Sequence, residues 1–402
     1  MPRRRRHDVV TLATAALALG LVGCDADVGD AGCQITQEVT LAPTPLTLLA
    51  NARLDEVGDR YFLLGNDETA VRWGALDANG NLSGEQAFAL PAGVTQAYYA
   101  VAGAETPGDT VLIGYLATDA ASGDGELVLV AVPAANPVST APAAAILTFP
   151  GGAPGPMSVA MISSRKGTNA GLAWIDDASS VVQVATVNAA GALTGTPVVT
   201  SMKAAPSYSC LAFSPGKNDL TVVYYSGEVD LGQAGIAPGW VIAETSEGGS
   251  VDSTTLLAFG HPGNCAHVTP TAAGYSLAWQ DTQGGWLAVY TAGAAMQPAP
   301  YPFAPASSFG GANLQPPFAG LAPFGTDYGV LLARPLDAEL WRLDQTGNRR
   351  PGAVIFPSIS GNLGAISALP VNGLVATYAD YTSSAGASPA TGGRVFLNAA
   401  CY

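Results

Sequence analysis

The chain has 402 residues, 48% of them hydrophobic and only 12% charged, with a formal net charge of −15. That balance excludes a disordered polymer, which combines low hydrophobicity with dense charge. The sign of the charge and the lack of a basic cluster beyond the first six residues exclude nucleic acid as a partner, because phosphate backbones repel such a surface.

The N-terminus reads as an export signal. Arg3 to Arg6 are basic, Val9 to Leu19 are apolar, and Leu21-Val22-Gly23-Cys24 follows. The apolar run is too short for a membrane-spanning helix, which needs about 20 residues, and has the layout of a secretion signal. Twin-arginine export ranks second, since the usual context around the arginine pair is missing. Removing residues 1–23 leaves 12 basic against 30 acidic residues, a net of −18.

Leu21-Val22-Gly23-Cys24 resembles the lipobox of bacterial lipoproteins. The resemblance implies acylation of Cys24, cleavage before it, and residence in the cell envelope, anchored to a bacterial membrane on the periplasmic side or at the cell surface. One acyl chain holds a protein only marginally, whereas two or three hold it stably. Residues 24–33 are then a lipidated acidic tether, with Asp25 in the place that some Gram-negative lipoproteins use for inner-membrane retention. An ordinary signal peptide with a chance Cys is the plainer alternative.

From residue 34 onward, frequent Gly, Pro, Asn, Ser and Thr punctuate short apolar runs, the pattern of strands and turns. The Ala-rich segment Ala141 to Ala145 is broken by Pro142 and reads as a loop. Seven apolar anchors recur: Tyr61–Leu64, Val111–Tyr115, Gly171–Asp176, Leu220–Tyr225, Tyr275–Asp281, Tyr328–Ala333 and Gly373–Tyr378. Upstream of them lie strand candidates such as Met157–Ser163, Ser209–Ser214, Phe318–Phe324 and Gly364–Leu369. Downstream come alternating strands (Val181–Val187, Trp286–Tyr290), polar turns (Asp77–Gly80, Asn188–Gly191, Asp344–Gly347), and fourth strands beginning near Pro197–Thr200 and Ala353–Phe356. Four strands in each such unit are the pattern of propeller blades. Residues 34–402 therefore resemble β-propellers in general. The expected fold is all-β, with seven four-stranded antiparallel blades; six or eight blades, or a string of β-sandwiches, are the alternatives. The last unit lacks a fourth strand, and Gln34–Leu41 is expected to supply it, closing the ring and removing an exposed edge.

Four cysteines remain besides Cys24, and an exported chain permits disulfides. Under the propeller reading Cys33 and Cys401 fall at adjacent strand ends and are expected to form a clasp. Cys210 and Cys265 each lie ten residues before an anchor, at equivalent places in neighbouring blades, and are expected to pair; two free buried thiols are the alternative. His261 and His267 flank Cys265 and with Cys210 offer a zinc-like donor set; a disulfide beside two loop histidines is the preferred reading, and no metal or cofactor is expected. No nucleophile elbow, metalloprotease helix or phosphate loop is present, so no catalytic residue is assigned. Asp77-Ala-Asn-Gly-Asn81 begins like a calcium loop, but Gly is fourth and the twelfth residue is Phe88, so turn chemistry explains it better.

Three connections between second and third strands are long: Thr118–Gly125, Ser226–Gly239 and Ala379–Gly393. Long loops carry binding, which makes Trp240, His261, His267 and Tyr381 the candidate ligand face. Trp279 is expected to pack between blades and Asp281 to open a turn. The functional expectation is a lipid-anchored, non-enzymatic binding or assembly module with an envelope protein or glycan ligand. A carbohydrate-active propeller hydrolase or lyase is the alternative.

Overall fold

The computed structural model describes residues 34–400 except 90–98, 134–143, 153–158, 163–168, 205–210, 216–219, 231–235, 246–250, 259–265, 292–298, 306–317, 358–362, 369–373, 379–393 and gaps of one to three residues in other turns. Its described elements are 28 strands in seven four-stranded antiparallel sheets. After β1 (Gln34–Thr40), the first sheet holds β2 (Arg53–Val57), β3 (Arg60–Asn66), β4 (Ala70–Leu76) and β5 (Leu82–Ala89). The second holds β6 (Tyr99–Thr106), β7 (Thr110–Thr118), β8 (Gly125–Pro133) and β9 (Ala144–Phe149). The third holds β10 (Val159–Ile162), β11 (Ala170–Asp176), β12 (Val181–Val187) and β13 (Leu193–Lys203), and the fourth β14 (Leu211–Pro215), β15 (Leu220–Asp230), β16 (Ile236–Thr245) and β17 (Val251–Ala258). The fifth holds β18 (His267–Pro270), β19 (Gly274–Asp281), β20 (Gly284–Thr291) and β21 (Tyr301–Pro305), and the sixth β22 (Phe318–Phe324), β23 (Asp327–Ala333), β24 (Asp337–Leu343) and β25 (Val354–Pro357). The last joins β26 (Leu363–Ala368), β27 (Leu374–Tyr378), β28 (Arg394–Ala400) and, at its edge, β1.

Every anchor lies on the second strand of its sheet. These strands read as continuous apolar runs because both of their faces are covered. Alternate residues of one strand enter two different cores. In β7, Val111, Ile113 and Tyr115 pack with Phe62, Leu64 and Trp73 of the preceding sheet, while Leu112 and Leu116 pack with Leu172 and Trp174 of the following one. Ala173 and Ile175 of β11 meet Leu220, Val222 and Tyr224. The same division recurs in β19: Tyr275, Leu277 and Trp279 face the fourth sheet, and Ala278 faces the sixth. Each buried Leu or Ile contributes about 1.5–3 kcal/mol, so the seams between sheets hold much of the stability.

The first strands are neighbours in succession: β2 lies beside β6, β6 beside β10, β10 beside β14, β14 beside β18, β18 beside β22, β22 beside β26, and β26 also beside β2. β1 pairs with β28 from Gln34↔Ala400 to Thr40↔Arg394. The N-terminal strand thus takes the fourth place in the last sheet, as its sequence position predicts.

The polar turns follow their sequence logic. Asn188 N bonds Ala192 O at 3.0 Å and Gly191 N bonds Asn188 O at 2.9 Å; Asp344–Asn348 repeats this, with Gly347 at φ 75°. The left-handed conformation favours Gly there, and a Cβ on Gly347 would come within 2.9 Å of Tyr301 Cβ. The Asp77 carboxylate accepts from Asn81 N at 2.9 Å and from Asn81 Nδ2 at 3.2 Å, closing a turn.

Two expectations are corrected. The segment Ala141 to Ala145 is not wholly loop: β9 starts at Ala144, which pairs with Leu129, followed by Ala145 with Val128. Edge pairing there asks only for backbone partners downstream of Pro142. The connection Ser226–Gly239 is in large part a ladder, with β15 continuing to Asp230 and pairing with Ile236.

Candidate functional site

Each sheet has two ends. At the upper end second strands pass to third strands, and one sheet leads to the next. At the lower end lie the turns from first to second and from third to fourth strands. The predicted ligand face is the upper end, with Trp240, His261 and His267 assigned to the fourth and fifth sheets and Tyr381 to the connection after β27.

Aromatic side chains gather there, but inside. Trp240 is 1% exposed and packs edge-on to Tyr225 at 5.3 Å and against Trp279 at 5.8 Å. Placing Trp240 at a ligand-facing rim is therefore corrected: opposite Tyr225 in the β15–β16 ladder, it points into the seam and fills it. Trp279 is fully buried in the same seam, as expected. His267 opens β18 opposite Ala278 and is half-buried. His261, Tyr381, Cys24, Cys33, Cys210, Cys265 and Cys401 lie outside the described residues.

Asp281 opens a turn, its Oδ1 accepting from Gln283 N at 2.7 Å and Gly284 N at 3.0 Å. Gly284, at φ 150°, is indispensable, since a Cβ there would sit 2.2 Å from Ala304 O. Beside it Gln280 is fully buried, and among the described residues neither its amide atoms nor Asp281 Oδ2 nor Trp240 Nε1 has a hydrogen-bond partner. Leaving a buried polar group unpaired costs about 1–3 kcal/mol.

The seams also carry hydrogen bonds that sequence reading did not find. Thr221 Oγ1 donates to Tyr275 OH at 2.6 Å, and Ser276 Oγ donates to Tyr328 OH at 2.5 Å. In both, the second residue of one anchor meets the first residue of the next. The sixth anchor has Gly329 at the donor place and the seventh has Gly373 at the acceptor place, so the sequence offers no hydroxyl on either side there. Tyr290 OH donates to the buried Glu244 Oε1 at 3.2 Å, and Tyr275 and Tyr290 stack at 5.3 Å. Burial raises the pKa of Tyr328, with Ser276 opposing and Asp327 reinforcing. Burial, then Glu126, pushes the Tyr115 phenol up to about 12.

At the lower end of the sixth sheet, buried Asp327 receives Arg342 Nε at 2.6 Å and Arg350 Nε at 3.2 Å, and the Asp327 hydrogen bond and charge raise the Arg350 pKa. Arg349 lies 4.1 Å over the Trp341 ring. Three arginines within nine residues of so weakly charged a chain were the signal for this cluster. Among the described residues no group of three or more His, Cys, Asp or Glu could hold a metal ion.

No protein-family model and no curated protein matches the chain. Solved structures do. A hydrazine synthase structure from Kuenenia stuttgartiensis shares 12% identity at a TM-score of 0.51, over 84% of this chain and 94% of that one. The β-propeller domain of the trilobed protease from Pyrococcus furiosus shares 8% at 0.44, over 82% and 90%. The PQQ-bound aldose sugar dehydrogenase from Streptomyces coelicolor shares 12% at 0.44, over 92% and 98%. The chain is β-propeller-like. At such identities the likeness is one of fold alone, so no activity carries over from these proteins to this propeller.

Proposed function

We propose that the protein is a lipid-anchored propeller of seven blades that serves the cell envelope as a non-enzymatic binding module. The β15–β16 hairpin carries the binding reading. The fifth sheet turns immediately after Asp281↔Gly284, whereas β15 and β16 remain paired out to Asp230↔Ile236. A ladder that continues past its blade presents a contact surface held by backbone hydrogen bonds, at lower ordering cost than a flexible loop. The succession of first strands from β2 back to β2 supports seven blades in a closed ring. The lipobox-like Leu21–Cys24 supports the anchor.

The cysteine pairings belong to the same reading. Gln34 pairs with Ala400, the residues adjoining Cys33 and Cys401. Cys210 directly precedes β14, Cys265 stands two residues before β18, and those strands are neighbours. Non-reducing peptide mapping is expected to recover Cys33–Cys401 and Cys210–Cys265; a Cys33–Cys210 link overturns both pairings.

The binding reading is tested by replacing residues 227–238 with a two-residue turn. Envelope proteins cross-linked to the intact protein are expected to be lost while the melting temperature stays within a few degrees. Undiminished capture by the shortened protein overturns the hairpin's role, and turnover of envelope glycans by the purified protein overturns the non-enzymatic assignment.

A further inference from the structure

We infer that the lower end of the propeller faces the lipid surface and that the upper end, with the β15–β16 hairpin, is turned away from it. This rests on the proposed acylation of Cys24 and deepens it into an orientation.

The first observation is where the tether attaches. Nine residues separate Cys24 from Gln34, and Gln34 is the end of β1 that pairs with Ala400, the last residue of β28. β28 is a third strand and runs from the upper end to the lower, so β1 enters its sheet from below. The second strands of the fourth, fifth and sixth blades start at one level, since Thr221 meets Tyr275 and Ser276 meets Tyr328 near the strand beginnings, and the first strands of all the sheets follow one another side by side. The lower ends therefore share one face.

The second observation is reach. A tether of this length spans at most about 35 Å, and a flexible chain of ten links averages under about 20 Å. β1 alone is about 23 Å long. A membrane at the upper end would require the tether to run back along the full height of the blade, close to its limit. A membrane at the lower end requires nothing of the kind.

The third observation is charge. Counting the described residues of the connections and of the strand ends that flank them, the upper face carries Asp119, Asp124, Asp176 and Asp281 against Lys203, a net of −3. The lower face carries Asp77, Asp327 and Asp344 against Arg349 and Arg350, a net of −1. An anionic lipid surface repels the first more than the second. The lower face also holds exposed Arg349 and Arg350, in the blade next to the one that receives β1. Reach follows from the attachment point, charge is independent of both, and all three select the same face.

The test uses the acylated full-length protein in phosphatidylethanolamine–phosphatidylglycerol vesicles doped with a headgroup-labelled acceptor lipid. A genetically encoded fluorescent residue replaces either exposed Ala190, in the lower turn of the third blade, or exposed Ala121, in the upper turn of the second. Going round from β1 the third blade is the farther of the two, so lateral distance works against the expected result. Energy transfer to lipid is expected to be at least twofold stronger from position 190. Equal transfer, or stronger transfer from position 121, overturns the orientation while leaving the anchor intact. A mass spectrum of the envelope-derived protein without acyl chains on Cys24 overturns the anchor, and the orientation with it.

Discussion

Two seams of this molecule occupy equivalent places and are built from different chemistry. The seam between the first and second blades is mainly aliphatic, with Leu64, Val71, Val111, Ile113, Val128 and Val130 around Phe62, Trp73 and Tyr115. The seam between the fourth and fifth blades is aromatic, holding Tyr225, Trp240, Tyr275, Trp279 and Tyr290, and is crossed by the Thr221–Tyr275 and Tyr290–Glu244 hydrogen bonds. Apolar area stabilises both. Only the second also specifies its neighbour, because a blade offered the wrong partner leaves buried hydroxyls and a carboxylate unpaired. The net gain from such a bond is about 1 kcal/mol, but its loss costs about 1–3 kcal/mol. The polar pairs therefore act more as selectors of blade order than as sources of stability.

The contrast is open to direct attack. Trp279→Ala in the aromatic seam is expected to destabilise by about 3–5 kcal/mol, against about 0.5–1.5 kcal/mol for Ile113→Val in the aliphatic one; chemical denaturation measures both. Equal losses would remove the distinction. Next come Thr221→Val and Tyr275→Phe. Each alone is expected to cost about 1–3 kcal/mol by removing one partner of a buried hydrogen bond, while the double variant costs less than the sum. Additive losses in that double-mutant cycle would mean the two hydroxyls do not act on each other. Gln280→Met is expected to raise stability by about 1 kcal/mol, since it replaces a buried amide lacking hydrogen bonds with an apolar side chain of similar length. A lower unfolding midpoint would reveal a partner for that amide.

The smallest effect belongs to the exposed turns. Burial tends to raise the Asp344 carboxyl pKa, but hydrogen bonds from Thr346 and Asn348 outweigh it and hold the value at about 2. The folded value lies below the ordinary one of about 3.9. Its contribution is therefore fully present above that value and disappears as pH falls through about 2. Between pH 5 and 2 the wild type is expected to lose more stability than Asp344→Asn, and parallel pH profiles would show that the turn contributes nothing.

The anchors were legible because burial on both faces writes an unbroken apolar run, and each of the seven, from Tyr61–Leu64 to Gly373–Tyr378, starts within a residue of where a second strand starts. Fourth strands were read less well. β13 begins at Leu193, four residues before the expected Pro197, because an edge strand such as LTGTPVVTSMK has one exposed side and no regular pattern. The seam hydrogen bonds were invisible for another reason. Thr221 and Tyr275 are 54 residues apart, and each alone is an ordinary strand residue. Trp240 was misplaced because proximity to a long connection says where a residue lies along the strand, not toward which side its ring turns.

The pairing of β1 with β28 sets a timetable as well as a shape. During synthesis β1 emerges with no edge to join, because its partner β28 lies more than 350 residues further along the chain. Contacts so distant along the chain form slowly, and until they form two strand edges stay open to other chains. Loss of the final strand, by truncation or by cleavage within residues 379–393, would leave β1 without its place in the last sheet. Such a chain is expected to aggregate or be degraded even though the other six sheets keep all their strands. The arrival of β28 thus acts as a checkpoint on the last sheet.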